Sequence, residues 1–199
     1  MGKRKRMNKK ALGIFMFMAL VLIVSLGFSS NTYAATYKGF NFKPGDILIT
    51  KSTSSAGLTG HASIVDQKGT GFVTILGPGH TATGHSIKWW FDHYPATKVV
   101  RYKSATKAKE AASYAYNNYK YGKYTNRGYK VTPNPKDRTY LYCSEIVWQA
   151  YYYGAGVTYY DYAGRTSQKI IPIIIAPYDY TNSFLQGING FATVKSFSW

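Results

Sequence analysis

Short apolar runs alternate along the chain with Gly, Pro and Ser punctuation, and most runs carry a readable period. Lys43-Pro44-Gly45-Asp46 is a turn signal, and the β-branched run Ile47-Leu48-Ile49-Thr50 after it predicts a strand. Ser52 to Gly60 is small and polar, a loop. His61 to Asp66 and Gly71 to Leu76 read as two further strands, the second ended by Gly77-Pro78-Gly79. Ser86 is placed to cap a short helix through Trp89, Trp90 and Phe91, stopped by Pro95, and Thr97 to Tyr102 is another strand. Ser104 caps a helix in which Ala108, Ala111, Ala112, Ala115 and Tyr119 fall at helical spacing. Gly122 to Tyr140 has no period and contains Gly128, Pro133 and Pro135, so it predicts a long loop, uncommon unless functional or mobile. Cys143 to Tyr153 is a helix, with Ile146, Val147, Ala150 and Tyr151 on one face and Gly154 as its stop. Ile171 to Ala176 is apolar, but Pro172 bars it from a central strand position. Phe191 to Phe197 alternates as a closing strand. Mixed strands and helices without βαβ alternation or internal repeat make the fold class α+β.

Ahead of these elements lies a segment of another kind. Met1 to Lys10 holds six positive charges, Ala11 to Phe28 is uncharged, and Thr32-Tyr33-Ala34 offers small residues at a cut. That order predicts a targeting segment over 1–34, either a cleaved secretory signal or an uncleaved membrane anchor, with a single folded domain over 35–199. The expected location is therefore secreted, at the extracellular face of the cell envelope. The whole chain has 25 basic and 8 acidic residues; without residues 1–34 it keeps 19 basic and 8 acidic, a net of +11. Such an excess favours anionic partners, which outside a cell means wall polymers or lipid head groups. Nucleic acid is not expected, since no recognition motif is visible.

One thiol, Cys143, is present, so no intramolecular disulfide forms within the chain. Its place at the first turn of a helix offers unpaired N–H groups and the positive dipole end. Both favour a thiolate and can hold an oxyanion, as a nucleophile requires; the bland alternative is an inert core thiol. Of the four histidines, His61 opens a strand after a Gly-containing loop and suits a base on a rigid edge. His93 reads as a packing or surface residue. His80 and His85 lie in a Gly/Thr stretch whose spacing suits no metal pair, and neither a metal nor another cofactor is expected.

Gly45-Asp46-Ile47-Leu48, Gly60-His61-Ala62 and Tyr142-Cys143-Ser144-Glu145-Ile146-Val147-Trp148 together resemble the permuted branch of the NlpC/P60 superfamily, the YiiX/YebB-like cysteine hydrolases. The resemblance covers most of residues 40–180. It implies a circularly permuted papain-like fold, an antiparallel sheet packed against helices with the His strand ahead of the Cys helix. It also implies Cys143 as nucleophile and His61 as general base. The family usually carries a polar residue on the next strand, often Glu, to orient the imidazole; here Leu76 stands at the expected position. Either His80 takes that role, or a backbone carbonyl or water does, or catalysis is weakened. Tyr142 and Asp46 are candidate substrate-binding residues, Asp46 equally a turn residue. Glu145 is expected to serve the helix start rather than catalysis.

The leading functional expectation is a secreted cysteine hydrolase cleaving amide bonds of peptidoglycan peptide at the envelope. The alternatives are an acyl or lipid ester hydrolase or acyltransferase on the same Cys/His pair, or a wall- or lipid-binding module.

Overall fold

The computed structural model describes residues 34–54, 59–163, 166–169 and 171–199. Apart from Ala34, the predicted targeting segment lies outside the described residues. The frame is a six-stranded, wholly antiparallel sheet in the order β10-β7-β3-β4-β5-β6. Its strands are β3 (Ile47–Thr50), β4 (His61–Val65), β5 (Phe72–Ile75), β6 (Ala82–Thr83), β7 (Thr97–Tyr102) and β10 (Phe191–Phe197). Two hairpins, β1 (Thr36–Tyr37) with β2 (Phe40–Asn41) and β8 (Tyr160–Ala163) with β9 (Thr166–Lys169), stand outside it. The helices are α1 (Ile87–His93), α2 (Ala105–Ala115), α3 (Cys143–Gln149) and α4 (Ser183–Asn189). A π-helical turn extends α2 over Tyr116–Lys120 and another extends α3 over Ala150–Gly154.

Why β3 reads Ile-Leu-Ile without alternation is now clear: the sheet is buried on both faces. Ile47, Ile49, Ala62, Ile64, Val73, Ile75 and Val100 share one core with the alanines of α2 and with Ile146 and Val147 of α3. Leu48, Val65, Phe72 and Val99 face the opposite way, against Ile87, Trp90 and Phe91 of α1 and against Phe42 beside the first hairpin. The strands and helices expected from 47 to 153 are present, with Ser86 and Ser104 capping as read: Ser86 accepts from Trp89 N and Ser104 from Lys107 N. The strand over 71–76 is shorter, Phe72–Ile75.

Several elements went unread in the sequence: the two outlying hairpins β1–β2 and β8–β9, the short strand β6, a 3-10 turn over Pro177–Thr181 and α4. The signal for α4 was present: Asn182 accepts from the N–H groups of Phe184 and Leu185 at 3.0 and 3.1 Å, and Gly190 closes the helix at φ 73°.

Gly45 shows how tightly β3 enters the sheet. Its φ is +84°, and a Cβ there would sit 2.3 Å from the carbonyl oxygen of Ala108 on α2. Gly45→Ala is therefore expected to cost at least about 2 kcal/mol, read as a lower urea midpoint with an unchanged m-value.

Candidate active site

Cys143 is the first residue of α3, entered from Tyr142 in extended conformation. The helix start is held from both sides. Tyr142 N–H donates to Glu145 Oε2 (3.1 Å), while Ser144 Oγ donates to Ile175 O (2.7 Å) and Ile175 N–H donates to the Tyr142 hydroxyl (3.2 Å). The last two bonds clip the 171–175 segment onto the helix mouth. Glu145 thus serves the helix start, as expected. Its burial raises the carboxyl from 4.5 to about 9, so at neutral pH it carries a proton.

Cys143 is 7% exposed. The backbone N–H groups of Ala62 and Ser144 reach it and favour the anion, but burial is the larger influence and pushes the thiol above its usual value. The expectation that the helix start would yield a resting thiolate is corrected here. Loss of water around sulfur outweighs the donors and the dipole. The bond from Ala62 also fixes the site's composition, because Ala62 follows His61 in β4. Thiol and imidazole therefore lie at the same end of that strand.

His61 is 6% exposed, its ring stacked on Trp90 (centroids 5.6 Å, 18° between planes) and beside Tyr94 (5.4 Å). Trp90 is itself anchored, its indole N–H donating to Thr97 Oγ1 (3.0 Å). Burial lowers the imidazole from 6.5 to about 4, so it is neutral at physiological pH. The partner of His61 is Thr74, with Oγ1 3.2 Å from Nε2. Thr74 Oγ1 also donates to Ala62 O at 2.7 Å. A hydroxyl has one proton, so toward His61 it accepts. This places the imidazole proton on Nε2 and the lone pair on Nδ1.

Thr74 was missed because the resemblance pointed to Leu76. The pairs Ile64↔Val73 and Val65↔Phe72, continued along the strands, set Thr74 opposite Ser63 and diagonal to His61, within reach on the same face. A strand's period of two makes 74 and 76 equivalent faces, which is the signal that was available. His80 is exposed in the turn after β5, its N–H donating to Gly77 O (3.1 Å), and does not stand behind the imidazole. Asp46 is not brought to the site either. It is 1% exposed and takes both Nε and Nη2 of Arg101 at 2.7 Å, at the end of β3 away from the Thr50 that pairs with His61. Tyr142 is brought to it, lining the cavity.

That cavity has a volume of about 370 Å³. Cys143 opens onto it, with Tyr129, Val131, Tyr142, Ile174, Ile175 and Tyr178 among the lining and no charged side chain. Gly60 lets Tyr178 close its floor: at φ +64°, a Cβ there would meet the Tyr178 ring at 2.8 Å. The lining comes from the long loop and the 174–178 stretch, segments whose meeting no local pattern announces. Among the described residues, no three His, Cys, Asp or Glu side chains converge as a metal site needs.

A cysteine at a helix mouth and a histidine earlier in the chain, at the rim of an antiparallel sheet, thus stand on one α+β fold. The chain belongs to the LnsA-like family of lipoprotein N-acylation proteins, whose model matches residues 7–192. It is 31% identical over 171 residues to an uncharacterized 30.3 kDa protein of Bacillus thuringiensis; the match takes in 79% of this chain and 58% of that protein's length. The crystal structure of the metalloprotein YiiX from Escherichia coli O157:H7 shares the fold. The TM-score is 0.55 at 17% identity, over 79% of this chain and 98% of that one.

Two outcomes follow from the buried groups. Iodoacetamide at neutral pH should label Cys143 at least about tenfold more slowly in the folded chain than in urea; faster labelling would contradict the raised thiol. Glu145 keeps its proton when folded up to about pH 9 but releases it near 4.5 when unfolded. Across that window the folded state binds the extra proton, so stability falls as pH rises. The urea midpoint of the wild type should fall relative to that of Glu145→Gln over the same window.

Proposed function

We propose that the protein is a thiol acyltransferase of lipoprotein N-acylation, acting at the outer face of the membrane. Cys143 takes a fatty acyl group from a lipid ester as a thioester and passes it to an amine. The observation that carries this reading is the cavity. The thiol opens onto a space of about 370 Å³ walled by aliphatic and tyrosine side chains, without a charge. That lining suits a hydrocarbon chain and offers nothing to the charged groups of a wall peptide. The family to which the chain belongs supports the same choice, so acyl transfer is preferred over cell-wall amide cleavage. The order of histidine strand and cysteine helix agrees with a permuted NlpC/P60 arrangement.

In the first half-reaction, His61 Nδ1 takes the thiol proton as sulfur attacks the ester carbonyl. Backbone N–H groups at the helix start receive the oxyanion. The imidazolium then protonates the departing alkoxide, leaving a lysolipid and the thioester. In the second half-reaction an amine attacks the thioester carbonyl, His61 accepts its proton, and the amide leaves as the thiol is restored. A neutral thiol and a neutral imidazole suit this sequence, since each step moves one proton through a ring that holds none at Nδ1 at rest. Thr74 acts through His61, holding the productive tautomer.

Incubating the full chain with vesicles of acyl-labelled phospholipid should give a hydroxylamine-labile acyl adduct on Cys143, absent in Cys143→Ala and slowed at least about 100-fold in His61→Ala. Thr74→Val should lose about tenfold in acylation rate, one neutral hydrogen bond's worth, while Thr74→Ser retains most of it. Release of amines from wall peptide with no acyl adduct would overturn the reading.

A further inference from the structure

We infer that the mouth of the Cys143 cavity docks on an anionic lipid bilayer, sinking Ile171 and Ile173 into the hydrocarbon boundary so that an acyl chain reaches sulfur without crossing water. This deepens the acyl-transfer reading and rests on it. Large aliphatic side chains are spent on the outside here. Ile173 is 71% exposed, Ile174 50%, Val131 46% and Ile171 44%. Val131 and Ile174 line the cavity itself, so the exposed surface is continuous with the wall that leads to the thiol. A patch of this kind at a cavity entrance marks an interaction site more often than decoration.

The segment that bears the isoleucines is short and is hydrogen-bonded at its end to the helix mouth. Pro172 and Ile175 are buried, and Ile175 is bonded through both its N–H and its carbonyl to the residues flanking Cys143. The exposed isoleucines are thereby tethered, within a few residues of Ile175, to the helix mouth at Cys143, where a membrane-seating wedge would need to be.

Charge selects the kind of surface. On one side of the mouth Lys130 lies over the exposed Tyr140 ring at 5.2 Å. On another, Lys98 and Lys51 lie over Trp199 at 4.4 and 5.5 Å, and Trp199 meets the cavity residue Tyr178 edge-on at 6.1 Å. Asp179, next to the cavity residue Tyr178, accepts from the Ala176 N–H. Aliphatic wedge, aromatic rings and flanking lysines are the composition that seats a protein at an anionic lipid interface.

The test uses the full chain with Cys143→Ala, so that a single introduced cysteine carries an environment-sensitive fluorophore. Ile173→Cys reports the wedge and Lys109→Cys, on α2 outside the cavity lining, is the reference. In vesicles of equal parts phosphatidylglycerol and phosphatidylcholine with nitroxide-bearing acyl chains, quenching at 173 should exceed that at 109 at least about fivefold. Equal quenching at the two positions, or none at 173, overturns the docking. The difference should shrink when Lys51, Lys98 and Lys130 become Gln, and in phosphatidylcholine alone; an unchanged difference overturns the anionic preference. In the otherwise native chain, Ile171→Ser with Ile173→Ser should lower acylation from vesicle lipid about tenfold or more and leave acylation by a water-soluble short-chain thioester intact. Loss of both activities, or of neither, overturns the docking. A native chain acylated by neither donor would instead sink the acyl-transfer reading, while the quenching, measured without catalysis, still decides the docking.

Discussion

A hydroxyl group has one proton to give, and Thr74 gives its proton to the carbonyl of Ala62. What remains toward His61 is an acceptor, and that alone determines which imidazole nitrogen carries hydrogen. The chemistry proposed at Cys143 depends on this choice, since a ring protonated on the other nitrogen has no lone pair to offer the thiol from Nδ1. The bond depends in turn on the pairing of β4 with β5. A slip of one residue would turn Thr74 to the opposite face, into the core shared with α2 and α3. Burial of the sheet on both faces guards against that slip, because Val73 and Phe72 would exchange cores at the same time.

Around this pivot the site is a set of neutral, buried polar groups. Desolvation holds the imidazole unprotonated, the thiol protonated and Glu145 protonated. In the proposed transfer, charge appears only during reaction, in a setting where fixed N–H groups at the helix start act at low dielectric. The same economy organises the long loop. The Gln149 side chain on α3 donates to the carbonyls of Pro135 and Asp137 at 2.7 and 2.9 Å, and the Tyr119 hydroxyl donates to its Oε1. The long loop is thus secured to the helix that opens at Cys143, and backbone bonds from Lys130 N to Leu141 O and from Leu141 N to Gly128 O hold the stretch that bears Tyr129 and Val131 beside it.

Much of this frame was legible in the residues. The turn at Lys43–Asp46, the unbroken run of β3, the caps at Ser86 and Ser104 and the helix opening at Cys143 all follow from local rules, and the structure contains each. Cys143 and His61 stood out because a lone thiol at a helix start and an imidazole at a strand start are features of position. Thr74 was not singled out, since its role is set by a cross-strand diagonal. Asp46 drew notice from a motif, yet its partner Arg101 lies 55 residues away and claims both carboxylate oxygens.

Sequence alone therefore determined where most strands of the main sheet and three of the helices begin, and singled out Cys143 and His61, because capping, turn chemistry and hydrophobic period act over a few residues. Tertiary structure decided the tautomer of His61, the protonation of the thiol and the apolar character of the space before it. The physical reason is common to all three. Hydrogen-bond partners across strands are assigned by register, and desolvation is summed over every segment packed nearby, wherever it lies in the chain.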